Sequence, residues 1–252
     1  MIGDLFSLLV LVVFVVLILV FMLLARRKGA SPRVLRPIDA YHSLPATVGT
    51  AVETGRRLHF SLGTGAIGDT DTAATLAGLT VLDQISAAAA VSDRPPIVTT
   101  ADGAAMLLAQ DTLRSVYTRQ NALARYDPES AQVAGLTPAS WGAAQTTLAR
   151  DEAVAGALLL GSVGTEAALL TEGGQRAGVT TLAGSDNLQA QAVLFATADH
   201  PVVGEDLFAG GAYVGHLPAH VASLNAQDVV RLGVGVAIIV GVIWRTLQSL
   251  GF

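Results

Sequence analysis

The segment LHFSLGTGAIGDTDT, Leu58 to Thr72, decides the fold of this chain. It opens on a short apolar run, Leu58 to Leu62, that reads as a β-strand. It then passes through Gly63-Thr64-Gly65-Ala66-Ile67-Gly68 and Asp69-Thr70-Asp71 into helix formers from Thr72 to Ala90. Within that last stretch Leu76, Leu79, Leu82 and Ile85 recur at helical spacing. A strand, a glycine turn and a helix in this order are the first half of a strand–helix–strand unit, and such units build parallel sheets covered by helices.

Downstream the same alternation continues. Pro95-Pro96 ends the first helix, and Ile97 to Thr100 is the next strand. Asp102 to Arg125 is helical, with Met106, Leu107, Leu113, Val116 and Tyr117 as its buried side. Gln132 to Leu136 is a weak third strand, followed by a helix that Thr137-Pro138 opens as cap and first residue. Ala157 to Val163 is a strongly apolar strand, and Thr165 to Arg176 a helix closing at Gly178. Val179 to Ala183 is the fifth strand and Asp186 to Ala198 its helix. The strands are apolar runs rather than alternating ones, as expected when both faces are covered. The expectation is an α/β, mostly parallel, Rossmann-like three-layer sheet domain with right-handed crossovers. It occupies residues 46–228, after a linker at 29–45 that Gly29, Pro32, Pro37 and Pro45 keep irregular. Residues 29 to 228, roughly 200 in number, suffice for one sizeable core.

Of 252 residues only 14% are charged and 52% are hydrophobic, with mean hydropathy +0.54. Soluble domains carry about 25% charged residues, so part of the chain belongs in lipid. Leu5 to Ala25 is an apolar run interrupted only by Ser7, and as a helix it spans roughly 30 Å, the hydrocarbon thickness of a bilayer. Asp4 precedes it and Arg26-Arg27-Lys28 follow, the reverse of the charge order of a cleaved signal peptide. Residues 1–28 therefore read as a retained anchor. With Arg33 and Arg36 on the same side, the positive-inside rule places the N-terminus outside and the main domain in the cytoplasm.

Residues 229–252 read as a second, C-terminal transmembrane helix. Its apolar core is Leu232 to Trp244, bracketed by Arg231 and Arg245, whose long stems reach opposite interfaces. Gly233, Ala237 and Gly241 line one of its faces with small side chains, a surface for close packing on the first span or on another copy. The partners expected are thus the bilayer and a homo-oligomer or another membrane protein. A net charge of −5 and 5% aromatics exclude an electrostatic or base-stacking nucleic-acid binder as the default. The absence of cysteine removes disulfides, thiolate metal sites and a cysteine nucleophile.

In open parallel sheets ligands bind beyond the carboxyl ends of the strands. Gly63-x-Gly65-x-x-Gly68 lies there, between a strand and a helix, where bare amides can cradle a phosphate. Against this, the acid that binds a ribose is expected roughly 20 residues further on, whereas the second strand ends at Thr99 to Asp102. Asp69 and Asp71 also put negative charge at the helix N-terminus. The simpler reading is a capped tight turn. The loops Gly161 to Glu166 and Gly184 to Asn187 fall at the same edge, so Thr64, Ser162, Glu166, Ser185 and Asp186 are the candidate lining of one polar crevice.

His216 and His220 are four apart, but Pro218 stands between them and no acidic third ligand is adjacent, so they make a poor zinc pair. Asp199-His200-Pro201 reads as a helix exit. No serine elbow, Walker lysine or His-Glu-x-x-His pattern occurs, and Lys28 is the only lysine. No cofactor is indicated.

Leu35-Arg36-Pro37-Ile38, Ala51-Val52-Glu53-Thr54-Gly55-Arg56 leading into Ser61-Leu62-Gly63-Thr64-Gly65, Asp71 to Gly78 and Ala198-Asp199-His200-Pro201 together resemble an uncharacterised bacterial membrane-anchored family, a domain of unknown function. The resemblance covers most of the chain and implies a tethered single domain, with no activity, cofactor or catalytic residue attached. Three functions follow from the residues. The first is a non-catalytic assembly or scaffold domain, using the Gly233/Ala237/Gly241 face. The second is a sensor or carrier of a phosphorylated ligand or nucleotide at Gly63 to Gly68. The third is a metal-dependent hydrolase or transferase using Asp69, Asp71 or Glu166.

Overall fold

Short apolar runs that cannot bury themselves as isolated strands are here stacked side by side into a six-stranded, all-parallel sheet. The computed structural model describes residues 2–27, 35–92, 94–151 and 153–249. The strands are β1 (Arg57–Gly63), β2 (Ile97–Thr100), β3 (Ala131–Val133), β4 (Val154–Ser162), β5 (Thr180–Ser185) and β6 (His200–Val202). Their order in space is β3-β2-β1-β4-β5-β6, so the chain steps outward on one side from β1, then returns and steps outward on the other. The helices between them are α3 (Thr72–Ala89), α4 (Gly103–Arg119), α5 (Pro138–Asp151), α6 (Ala167–Arg176) and α7 (Leu188–Thr197).

Each strand's alternation divides the core in two. Leu58, Phe60, Leu62, Val98, Leu158, Leu160 and Leu182 face α3 and α4, together with α2 (Asp39–Thr54), whose Tyr41, Leu44 and Val48 join the same cluster. Ala157, Leu159 and Ala183 face α5, α6 and α7 through Trp141, Leu170 and Leu194. All of β1 beyond Arg57 is buried, which explains its unbroken apolar pattern.

Two helix starts follow from local chemistry. The Asp102 carboxylate accepts from Ala105 N at 2.8 Å to begin α4, and Asn187 accepts from Gln189 N at 2.9 Å to begin α7. Thr137 and Ser140 exchange backbone-to-hydroxyl bonds at 3.0 and 3.2 Å ahead of α5, as the Thr-Pro start anticipates.

The segment read as an irregular linker differs. From Asp39 it is helical, with Pro45 inside α2. The missing N–H of a proline removes one helical bond. The helix persists because Tyr41, Leu44, Val48 and Ala51 are buried along one side, and tertiary packing rather than propensity holds most helices. Asp199-His200-Pro201 leaves α7, as read, and leads into the short edge strand β6, a sixth strand beyond the five read from the pattern. Proline is at home on an edge, where no ladder donor is needed.

The chain divides into two compact units, residues 36–215 and, separately, residues 1–35 with 216–252. Within the first, the two ends of the segment are clasped. Arg36 pairs with Asp206 at 2.7 Å, Tyr41 Oη donates to Asp206 O at 2.8 Å, Tyr213 Oη donates to Arg36 O at 2.7 Å, and the two tyrosine rings stack at 5.5 Å. Burial, and then the nearby Asp206 carboxylate, push the Tyr41 hydroxyl well above the ordinary tyrosine range. The residues after Tyr213 form a short connection to the second unit; α8 (Gly210–Tyr213) is the last helix of the first.

The second unit contains α1 (Ile2–Arg27) and α9 (Pro218–Ser249), which pack against each other. The α9 helix begins at Pro218, ahead of the boundary read at residue 229, because Pro218 suits a first helical position. Its segment Pro218–Ile243 is long and apolar enough to cross a membrane. Among the described residues of α1, Leu11–Leu23 is a shorter apolar stretch. Lys28, Gly29, Pro32 and Arg33 lie outside the described residues, as do the side chains of Arg26, Arg27 and Trp244.

Candidate functional site

The order of strands reverses between β1 and β4, and the carboxyl ends of those two strands carry the glycine loop and the Ser162–Glu166 loop. That junction is where this topology binds ligands when it binds them. The structure brings Gly63, Thr64, Gly65, Ser162 and Glu166 together there. Thr64 N and Gly65 N both donate to Ser162 O, at 2.8 and 3.1 Å, and Thr64 Oγ1 donates to Glu166 Oε1 at 3.4 Å. Gly164 N donates to the same carboxylate oxygen at 2.9 Å, folding Glu166 back over its own loop.

The glycines have reasons within the chain. Gly63 has φ +78°, and a Cβ there would collide with the Ser162 carbonyl. A Cβ at Gly65 would stand 2.8 Å from Ser162 Cβ and 3.0 Å from Asp71 Cβ, wedged between β4 and the start of α3. Gly68 has φ +101° with open space around it, so it is needed for its backbone conformation alone. Its amide donates to Thr72 Oγ1 at 2.8 Å, and Ile67 N reaches Asp102 Oδ2 at 3.4 Å. Four amides of the loop, those of Thr64, Gly65, Ile67 and Gly68, are therefore already hydrogen-bonded to protein acceptors.

Acids occupy the places an anion would take. Asp69 accepts from Thr70 N at 2.7 Å, and Asp71, at the N-cap of α3, accepts from Thr70 Oγ1 at 3.1 Å. Asp102 caps α4 and Glu166 stands at the N-cap of α6. Asp71, Asp102 and Glu166 thus stand at helix N-termini, where negative charge suits the helix dipole.

Ser185 is fully buried and is joined to the cluster through Val163, accepting from Val163 N at 3.1 Å and donating to Val163 O at 2.9 Å. Asp186 is exposed, and among the described residues its carboxylate has no hydrogen-bond partner. Among the described residues no group of three or more histidines, cysteines, aspartates or glutamates is placed to hold a metal ion. His216 sits at φ +48° ahead of α9, whereas His220 lies within it.

Asp102 is the member of this edge that the sequence reading set aside, since it stands far beyond the usual spacing from the glycines. The extra distance is taken up by α3, which is 18 residues long, and by residues 90–96 before β2, and the chain still returns Asp102 beside Ile67. The signal was the acid directly after an apolar strand and before a glycine-led helix.

Beneath the sheet edge lies a second polar group. His59 Nε2 is 2.8 Å from Thr99 Oγ1, and Thr99 Oγ1 donates to Gln145 Oε1 at 3.4 Å, all three fully buried. Burial lowers the His59 pKa to about 4, so the ring is neutral. The small-residue face of α9 is open: Gly233, Ala237 and Gly241 are exposed, and a Cβ at Gly233 or Gly241 would meet nothing within 4 Å.

An all-parallel sheet in the order 3-2-1-4-5-6, with helices on both faces and its glycine turn at the reversal point, defines a doubly wound α/β domain of the Rossmann type. The chain belongs to the family described as a domain of unknown function, DUF6754, whose model matches residues 2–252. No curated protein and no solved structure matches it.

Proposed function

We propose that this protein is a non-catalytic assembly domain held at the cell membrane, with α1 and α9 as its spans, the N-terminus outside and the α/β domain in the cytoplasm. The observation that carries the reading is the state of the β1/β4 junction. Thr64 N and Gly65 N are spent on Ser162 O, and Asp71, Asp102 and Glu166 put negative charge at the N-termini of α3, α4 and α6. A phosphate arriving there finds like charge and few free donors. The open Gly233/Ala237/Gly241 face supports association in lipid.

A second reading keeps one observation in its favour: the glycine loop lies at the reversal point, with Asp102 at the end of β2, where a ribose-binding acid stands in dinucleotide-binding domains. One experiment separates the two. The full-length chain in detergent is melted with nucleotides, dinucleotides and sugar phosphates, each with and without Mg²⁺. A ligand at a hundred times its Kd stabilises by about 2.7 kcal/mol. The assembly reading expects no shift across the panel. A shift that Asp102→Asn abolishes, in a variant that still melts cooperatively, replaces it with the ligand reading.

A further inference from the structure

All strands of the sheet run parallel, so every strand-to-helix connection leaves from one edge, the carboxyl edge. The connections from β1 to α3, β2 to α4, β3 to α5, β4 to α6 and β5 to α7 are residues 64–71, 101–102, 134–137, 163–166 and 186–187. They carry Asp69, Asp71, Asp102, Glu166 and Asp186, and no lysine, arginine or histidine. Helix dipoles favour acids at such places, yet capping accounts for only one of them. Asp102 accepts from Ala105 N, whereas Asp71 and Glu166 make no side-chain cap bond, and α7 is capped by Asn187 rather than Asp186. Like charges along one edge with no base among them repel each other, and a cationic ligand relieves that repulsion.

Two further features of the edge point to a ligand and to its kind. Ser162, the last residue of β4, is only 8% exposed, and among the described residues its hydroxyl has no hydrogen-bond partner. Its Cβ lies 2.8 Å from where a Cβ on Gly65 would stand, and Asp71 Cβ lies 3.0 Å from the same point. The unpartnered hydroxyl is thus aimed at the glycine loop, among the acids. Leu136 and Leu188, at the connections to α5 and α7, are each 80% exposed, more than any other large apolar side chain described in residues 36–215.

We infer that the carboxyl edge receives a basic segment of a partner polypeptide, with arginine or lysine in its middle and apolar residues at its ends. This rests on the assembly reading and gives the partner its chemistry. A metal ion needs its acids gathered at one point, and among the described residues no three acids are so placed. The carboxylates are instead strung along the neighbouring strands β2-β1-β4-β5, from Asp102 to Asp186. With strands about 4.8 Å apart, that row is roughly 15 Å long, the reach of about four to five extended residues. Leu136, after β3, and Leu188, after β5, stand at its two ends, and Ser162 offers a hydrogen-bonding oxygen near its middle. The net charge of −5 on the whole chain draws a basic partner in the same sense.

The probe is a fluorescein-labelled seven-residue peptide with three arginines between terminal leucines. It is titrated, by fluorescence anisotropy, into the full-length chain in a non-ionic detergent. Wild type is expected to bind it saturably. Combining Asp69→Asn, Asp71→Asn and Asp186→Asn is expected to weaken binding by about tenfold. The reference combines Glu53→Gln, Asp111→Asn and Glu129→Gln, which removes the same charge from exposed acids elsewhere, with an expected loss below about twofold. Spermidine, which carries the same charge without a peptide backbone or leucines, is expected to compete about tenfold less well than the unlabelled peptide. That comparison uses wild type alone and stands whatever the variants do. No saturable binding, equal losses in the two triple variants, or equal competition by spermidine overturns the assignment. Light scattering on the same sample separates the failures. A particle of several chains that does not bind the peptide refutes the basic partner and leaves assembly standing, whereas a single-chain particle that does not bind it refutes both.

Discussion

His59 gives the sharpest test of how the sheet is built. It lies on the β1 face covered by α5, 1% exposed, with Thr99 Oγ1 2.8 Å from its Nε2. Burial lowers its pKa from 6.5 to about 4 in the folded protein. Above pH 6.5 the ring is neutral in both states and pH has no leverage. Between about 6.5 and 4 the unfolded chain binds a proton that the folded one does not, so stability falls as pH falls. Below about 4 both states are protonated and the loss levels off. Each pKa unit is worth 1.36 kcal/mol, so the full loss is about 3 kcal/mol. For a chain of this size that lowers the melting temperature by roughly 10 °C. The assay is thermal unfolding of the full-length chain in detergent from pH 7.5 to 4, followed by the fluorescence of the buried Trp141. His59→Gln keeps a polar group beside Thr99 but cannot titrate. The gap between wild type and His59→Gln isolates this one residue from the carboxylates, which titrate in both. That gap is expected to change in favour of His59→Gln as the pH drops. A gap that is constant with pH would refute the burial of His59.

Other outcomes follow from the same geometry. Gly63→Ala, which forces a side chain at φ +78° into the Ser162 carbonyl, should cost about 3 kcal/mol or more, read as a fall in melting temperature. Gly68→Ala, equally left-handed but in open space, should cost only about 1–2 kcal/mol in the same assay. Gln145→Met should change the stability by less than about 1 kcal/mol, because it removes a buried donor without an acceptor, Nε2, together with the Oε1 acceptor of the long bond from Thr99 Oγ1. Asp206→Asn should lower it by less than about 1 kcal/mol, an effect that fades with added salt, since Arg36 is 70% exposed.

Much of the fold was legible because hydrophobic pattern and turn chemistry agree locally. The strand-turn-helix reading of Leu58 to Thr72 needed only an apolar run, three glycines and a helical spacing of leucines. Strand order was not legible in the same way. That β4 lies beside β1 depends on backbone bonds between residues far apart in sequence, such as Gly65 N to Ser162 O. The roles of Gly63 and Gly65 share this cause. Their spacing suggests a phosphate loop, while the atoms that make glycine necessary belong to β4. Pro45 misled for the opposite reason, a local signal overruled by the burial of Tyr41, Leu44 and Val48. Asp102 was discounted on spacing, although an 18-residue α3 and the seven residues between it and β2 carry the chain back to the same edge.

The central claim is that the protein acts by association. It is tested most directly by counting chains in a membrane: the full-length protein, labelled once per chain, is reconstituted into liposomes at low protein-to-lipid ratio and photobleached step by step. Two-step traces well above the level given by a monomeric reference are expected, together with their loss in Gly241→Leu. Single-step traces at the reference level throughout would contradict it.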